Sequence, residues 1–184
     1  MNTTAAAHAT ALAGQPVDPA THFEVERFLV REARVLNDNR LRQWLHEMVC
    51  EDIHYFLPVR EVRYQKDQRP IGSSPGAAIF NDNYQMLDMR IQRVETGIAW
   101  PEDPVSHLRR FVTNVDVEWS DVDGEVTAYS NIMVYRNRRQ RDQAVVYGGR
   151  RDSLRRVQGQ WRLAARHITI DQRVVLDKNL CYFM

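Results

Sequence analysis

Lysine is nearly missing from this chain of 184 residues. Lys66 and Lys178 are the only two, and every other cation is arginine. The formal net charge is only +1, so the broad basic footprint of a nucleic-acid binder is absent. Cysteine is almost as scarce: Cys50 and Cys181 are the only pair. Two free thiols or a single bridge are both open, and a dense disulfide framework is excluded. No apolar run approaches the roughly 18 residues of a membrane span. Met1 to Ala20 is rich in Ala and Thr, with no basic start and no long apolar stretch, so it reads as a flexible tail and not as a secretory leader.

Several chemistries lack their residues as well. There is no glycine-rich phosphate loop and no nucleophile elbow. Gly148-Gly149 lies in a strand-like stretch, where a bulge or a close contact is the natural reading. Ser106 and His107 are adjacent, and on an extended segment they point apart, which rules out a dyad. An iron–sulfur cluster of the Rieske type needs two Cys and two His close together. Neither cysteine has a histidine two residues on, and the Cys50–His54 spacing is wrong. His46 and His54 are the only loose candidates for a two-His, one-carboxylate iron site, and both read as surface residues of a short helix and a strand.

What remains is a well-patterned single domain, expected over 21–184 behind a tail at 1–20. Val25, Phe28, Leu29, Ala33 and Leu36 form a helical stripe over 21–36, with Thr21 as N-cap. Leu41, Trp44, Leu45 and Met48 mark a second, short helix. Ile53, Tyr55, Leu57 and Val59 alternate as a strand, and Pro58 suggests an edge position. Residues 61–80 read as a polar loop. Asn81 or Asp82 would cap a third helix carrying Leu87, Ile91 and Val94. Four strand-like segments follow, near 108–119, 125–137, 143–157 and 160–175, joined in part by turns at Asp121–Gly124 and Gln158-Gly159-Gln160. Helices first and strands later, without internal repeats, predict an α+β layout: three N-terminal helices on a largely antiparallel, strongly twisted sheet.

One acid–base arrangement is worth weighing. His167 shares strand parity with Trp161, Leu163 and Ala165 and is expected to face the interior, where Tyr55, Tyr84 or Asp116 could approach it. A histidine with a tyrosine and a carboxylate in an apolar pocket suits a dehydratase or isomerase. The competing reading is a histidine held by hydrogen bonds in the core.

The stretch from Trp100 through Pro101-Glu102-Asp103-Pro104 to Arg109-Arg110-Phe111 and Asn114-Val115 is a proline-punctuated turn feeding a strand. Together with Arg93-Val94-Glu95-Thr96-Gly97-Ile98-Ala99 and the tail Leu176-Asp177-Lys178-Asn179-Leu180, it resembles the small (β) subunits of bacterial aromatic-ring-hydroxylating dioxygenases of the biphenyl, cumene and phenylpropionate type. The resemblance spans about residues 22 to 184. It departs at Val105-Ser106-His107-Leu108, where a Pro-Ser-Arg-Thr kind of sequence is more usual.

The resemblance implies a cystatin-like cone and a structural role without a cofactor in this chain. Its partner would be a catalytic α subunit carrying a Rieske [2Fe-2S] cluster and a mononuclear Fe(II). Three β subunits would stack on three α subunits, in the cytoplasm, as α3β3. The complex would add both atoms of O2 to an aromatic hydrocarbon during its catabolism. The arginine clusters at 109–110, 136–141, 150–151 and 155–156 fall in strand-like segments, a placement that favours subunit contacts. Trp100, Arg109, Arg110 and Asn114, with Leu180, Tyr182 and Phe183 of the apolar tail, are the expected interface residues. Arg110 is expected to point outward and Arg109 inward, because Arg109 shares parity with Phe111, Val115 and Val117.

Overall fold

The computed structural model describes residues 12–59, 78–96, 106–138, 142–172 and 182–184. Helix α1 (Pro19–Asn37) begins two residues earlier than the sequence pattern suggests, because Asp18 is the cap. Its carboxylate accepts from the Ala20 and Thr21 amides at 3.0 Å and from the Thr21 hydroxyl at 2.7 Å, which holds its pKa below the ordinary value. Pro19 fits the first helical position because its missing N–H would have had no helical partner there. The presumed tail is already attached before this point: Gly14 and Val17 donate backbone hydrogen bonds to Trp119 and Val117. The buried stripe of α1 is Thr21, Val25, Phe28, Leu29, Glu32, Val35 and Leu36.

A short helix α2 (Leu41–Gln43) widens into a π-helical turn (Trp44–Met48) that turns Trp44, Leu45 and Met48 inward. Strands β1 (Val49–Pro58) and β2 (Ala78–Asp82) follow. Helix α3 (Tyr84–Glu95) is capped by Asn83, whose side-chain oxygen accepts from the Met86 amide. The cap lies beyond Asn81 and Asp82 because those two residues close β2, a strand that the polar composition of the region concealed. The long strands β3 (His107–Trp119), β4 (Glu125–Arg138), β5 (Asp142–Val157) and β6 (Gln160–Ile170) complete the element order.

The six strands among the described residues form one sheet in the order β2-β1-β6-β5-β4-β3. Every neighbouring pair is antiparallel except β1 and β6, which run parallel. Strand β1 is therefore internal and not an edge; Pro58 is tolerated because it sits at the strand end, where the register with β2 shifts. Helices α1 and α3 bury their apolar stripes with one face of the sheet, in a single core that includes Val25, Leu29, Trp44, Leu57, Leu87, Ile91, Leu154 and Leu163.

Two β-bulges decide which side chains reach that core. In β3, Thr113 pairs with Asn131 and Asp116 with Tyr129, so Asn114 and Val115 together oppose Ser130 alone. Asn114 takes a positive φ of 53° there, a conformation that asparagine tolerates. In β6, Leu163 pairs with Leu154 and Ala165 with Ser153, which leaves Ala164 as an extra residue. An inserted residue exchanges the two faces of everything beyond it.

Candidate functional site

These bulges reverse two expectations. Arg110, before the β3 bulge, points inward and is buried, while Arg109 is exposed. Beyond the β6 bulge Arg166 points inward, and His167 lies half-buried on the outer face. Tyr55 is inside, so the sheet itself separates it from His167. Asp116 shares the outer face but stands in β3, with β4 and β5 between it and β6, about 14 Å away at the usual strand spacing. His167, Tyr55 and Asp116 do not converge. The proposed acid–base trio is therefore discarded.

The interior instead holds a closed ionic cluster. Arg166 donates to Asp152 twice at 2.8 Å, to Glu32 at 2.7 and 3.0 Å, and to the Met184 carbonyl at 2.7 Å. Arg150 stands 3.6 Å from Glu32 and 3.5 Å from Asp152, and the Trp44 indole N–H donates to Glu32 at 2.9 Å. Burial alone would raise the Glu32 pKa, but attraction to Arg166 and Arg150, with the hydrogen bonds from Arg166 and Trp44, brings it below the ordinary value. Arg110 donates twice to the Phe183 carbonyl, at 2.6 and 2.8 Å, and its guanidinium and backbone N–H both donate to the Asn37 side-chain oxygen, at 3.1 and 3.0 Å. Burial lowers its pKa to about 10, which still leaves it charged at neutral pH.

The chain's own residues 182–184 fill the space beside this cluster. Tyr182, Phe183 and Met184 are all buried within their own domain, which corrects the expectation that Tyr182 and Phe183 face a neighbour. Phe183 stacks on Trp44 at 4.7 Å and meets Tyr55 edge-on at 6.1 Å. The Tyr55 hydroxyl donates to the Met184 carbonyl at 2.9 Å and accepts from the Met184 amide at 2.8 Å. A pocket for dehydration or isomerisation would need a free acid or base beside room for a substrate. Here Tyr55 is engaged, Glu32 is held ionised by two arginines, and the tail occupies the room. Trp100, Leu180 and Cys181 lie outside the described residues.

The outer face of the sheet is different in kind. Phe111, Val145 and Tyr147 are large and exposed in neighbouring positions of β3 and β5, and Tyr129 is exposed on the same face of β4, four residues from Met133. Phe111, Met133 and Tyr147 stand in one row across three strands, with Arg109, Tyr135 and Val145 in the next. His167 joins this face through Phe56, an edge-on contact at 5.2 Å. Burial, Arg151 and His54 push the His167 pKa down. Exposed aromatic and apolar side chains grouped on one sheet face are a common feature of association surfaces.

Among the described residues no group of three or more His, Cys, Asp and Glu side chains is placed to hold an ion. His46 meets the Tyr84 hydroxyl, His54 meets Asn81, and the thiol of Cys50 is pushed up in pKa by burial. No helix among the described residues is long and apolar enough to cross a membrane.

The interior is thus filled by the chain's own side chains, and the outer sheet face carries exposed aromatic ones. The sequence model of a family described as "Ring hydroxylating beta subunit" matches residues 31–177. The biphenyl 2,3-dioxygenase subunit beta of Rhodococcus jostii (strain RHA1) is 37% identical over 171 residues, which covers 91% of each chain. A naphthalene 1,2-dioxygenase structure with indole bound in the active site superposes with a TM-score of 0.84 at 26% identity, over 97% of this chain and 93% of that one. A cystatin-like protein of Nostoc punctiforme PCC 73102 shares the fold alone, with a TM-score of 0.53 at 14% identity, over 87% of this chain and 98% of that one. The chain belongs to the ring-hydroxylating dioxygenase β-subunit family, and its fold is the cystatin-like α+β cone.

The ionic cluster went unread in the sequence, although one signal was there. Glu32 occupies an inward position of the α1 stripe between Leu29 and Leu36, where an apolar residue is the rule, and a charge there calls for a buried partner.

Proposed function

We propose that this chain is the structural, non-catalytic β subunit of an aromatic-ring-hydroxylating dioxygenase, acting in the cytoplasm as a single domain that takes in the residues leading into α1. The observation that carries this reading is the filled interior: the place where a cone-shaped enzyme would keep its substrate holds Phe183 and Met184. The family's catalytic partner, the α subunit, would supply the Rieske cluster and the mononuclear iron. The complex would dihydroxylate an aromatic hydrocarbon with electrons delivered from NAD(P)H by separate proteins. Three copies would associate through their outer sheet faces within an α3β3 hexamer. Arg109 and Asn114 are exposed on or beside that face, and Trp100 and Leu180 would add to the subunit contacts.

The test is direct. The chain purified alone should hold no stoichiometric iron and no Rieske absorption, and co-expression with the α subunit should give a hexamer that oxidises an aromatic hydrocarbon. About one iron per chain, lost on changing His46 or His54, would overturn the scaffold role. Tyr147→Glu should weaken self-association while leaving the monomer folded; an unchanged sedimentation profile on dilution would place the contact elsewhere.

A further inference from the structure

Away from both the filled interior and the outer sheet face, a groove of about 620 Å³ runs between α1, the π-helical turn and the turn joining β5 to β6. Five arginines line it, Arg27, Arg31, Arg34, Arg156 and Arg162, against two carboxylates, Glu24 and Glu47. Both carboxylates are already engaged: Glu24 by Arg156 and the Trp161 indole N–H, Glu47 by Arg31 at 3.4 Å and Gln43 at 3.0 Å. Arg27 and Arg34 are exposed and have no ion-pair partner among the described residues. The Nε of Arg162 is buried without a hydrogen-bond partner, although its Nη1 reaches the His46 carbonyl at 3.1 Å. The groove therefore carries an excess of three positive charges on a chain whose net charge is only +1.

The spacing says what shape of anion fits. Arg27, Arg31 and Arg34 follow one another at i, i+4 and i+7, so they form a row about 10 Å long on one helix face and do not converge on a point. A lone phosphate would need converging donors, whereas a row matches carboxylates repeated along a peptide. Phe23, 61% exposed at one end of the groove, adds an apolar anchor that a free anion would not use. Guanidinium groups paired with carboxylates across a partly desolvated contact steer association and fix register.

We propose that this groove receives an acidic segment of the catalytic α subunit, with Arg27 and Arg34 pairing with its carboxylates and Phe23 packing against an apolar side chain beside them. The proposal rests on the β-subunit reading given above. It places an α contact on the α1 side of the molecule and leaves the outer sheet face to the other β subunits.

The test compares the unaltered chain with Arg27→Glu/Arg34→Glu, Arg27→Lys/Arg34→Lys and a remote control, Arg93→Glu, each bound to the cognate α subunit at 50 and 500 mM NaCl. The double reversal should raise the apparent Kd for the α subunit about 10- to 100-fold at low salt and far less at high salt. The lysine pair should retain most of the affinity. Melting and β self-association should stay unchanged, since both arginines are exposed. An unaltered Kd in the double reversal, or an equal defect in Arg93→Glu, overturns the proposal while the β-subunit reading stands. Loss of β self-association with α binding intact overturns it in favour of a second copy as the occupant. Failure of the unaltered chain to bind any α subunit sinks the reading and the proposal together.

Discussion

Arg166→Met is the sharpest probe of the interior. The substitution keeps much of the aliphatic volume and removes the guanidinium that makes five hydrogen bonds, two each to Glu32 and Asp152 and one to Met184. Arg150 then stands alone, 3.6 and 3.5 Å from two buried carboxylates. Removing one partner from a buried ionic cluster costs about 3–5 kcal/mol, because the remaining charges stay desolvated without compensation. For a domain whose total stability is about 5–15 kcal/mol, that is a large fraction.

The loss should also carry a pH signature. In the native chain the folded pKa of Glu32 lies below its unfolded value, so its contribution is present above the unfolded value of 4.5 and fades as pH falls through the folded one. Without Arg166 the desolvation that raises this pKa prevails. The folded variant then holds a proton that the unfolded chain releases, and its deficit grows as pH rises. Urea unfolding of the isolated chain at pH 5 and pH 8 reads both effects. Adding Glu32→Gln to Arg166→Met should recover part of the loss at pH 8. A deficit below about 1 kcal/mol at pH 8, or one that is independent of pH, would refute the coupled-charge account.

Phe183→Ala should cost about 3–5 kcal/mol by opening a cavity beside Trp44 and Tyr55, measured by urea midpoint; a small loss would mean the tail contributes little to the core. Gly148→Ala should destabilise by about 3 kcal/mol, the upper end of ordinary overpacking, because a Cβ there would lie 2.4 Å from the Thr169 backbone oxygen. Asn114→Gly should be neutral or slightly stabilising, whereas Asn114→Val should lower stability by about 1–2 kcal/mol at its positive φ. Equal melting temperatures for the two Asn114 variants would show that the bulge is not held by that conformation.

Much of the fold was legible because periodicity reports burial directly. The stripes of α1 and α3, the turn at Asp121–Gly124 and the strands expected near 125–137 and 143–157 all appear where the sequence places them. The errors share a cause. Parity counting carries a face assignment along a strand only while the strand is regular, and a single bulge near Asn114 inverted Arg110 while another at Ala164 inverted His167. Neither bulge has a glycine to announce it. The family resemblance named the assembly role, but composition could not locate the interface, since arginine occurs in the core, in the groove and on the outer face alike. Arg150 and Arg166 differ from Arg27 and Arg34 only in what surrounds them after folding.

The position of β6 has a consequence for how the chain comes off the ribosome. Among the described strands it is the last made, yet it sits between β1 and β5, so before it emerges the described sheet exists as two separate ribbons, β2-β1 and β5-β4-β3. Each ribbon then presents an open edge along the strand β6 will later cover, and its apolar face is only half covered. Parallel pairing of β1 with β6 closes a loop that spans most of the sequence, a slow step that local contacts cannot hasten. Nascent chains stalled or cleaved before Gln160 should therefore stick to one another through these bare edges instead of waiting as soluble intermediates. Yield in a recombinant host should depend more on how quickly residues 160–184 are made than on anything in the helical first third.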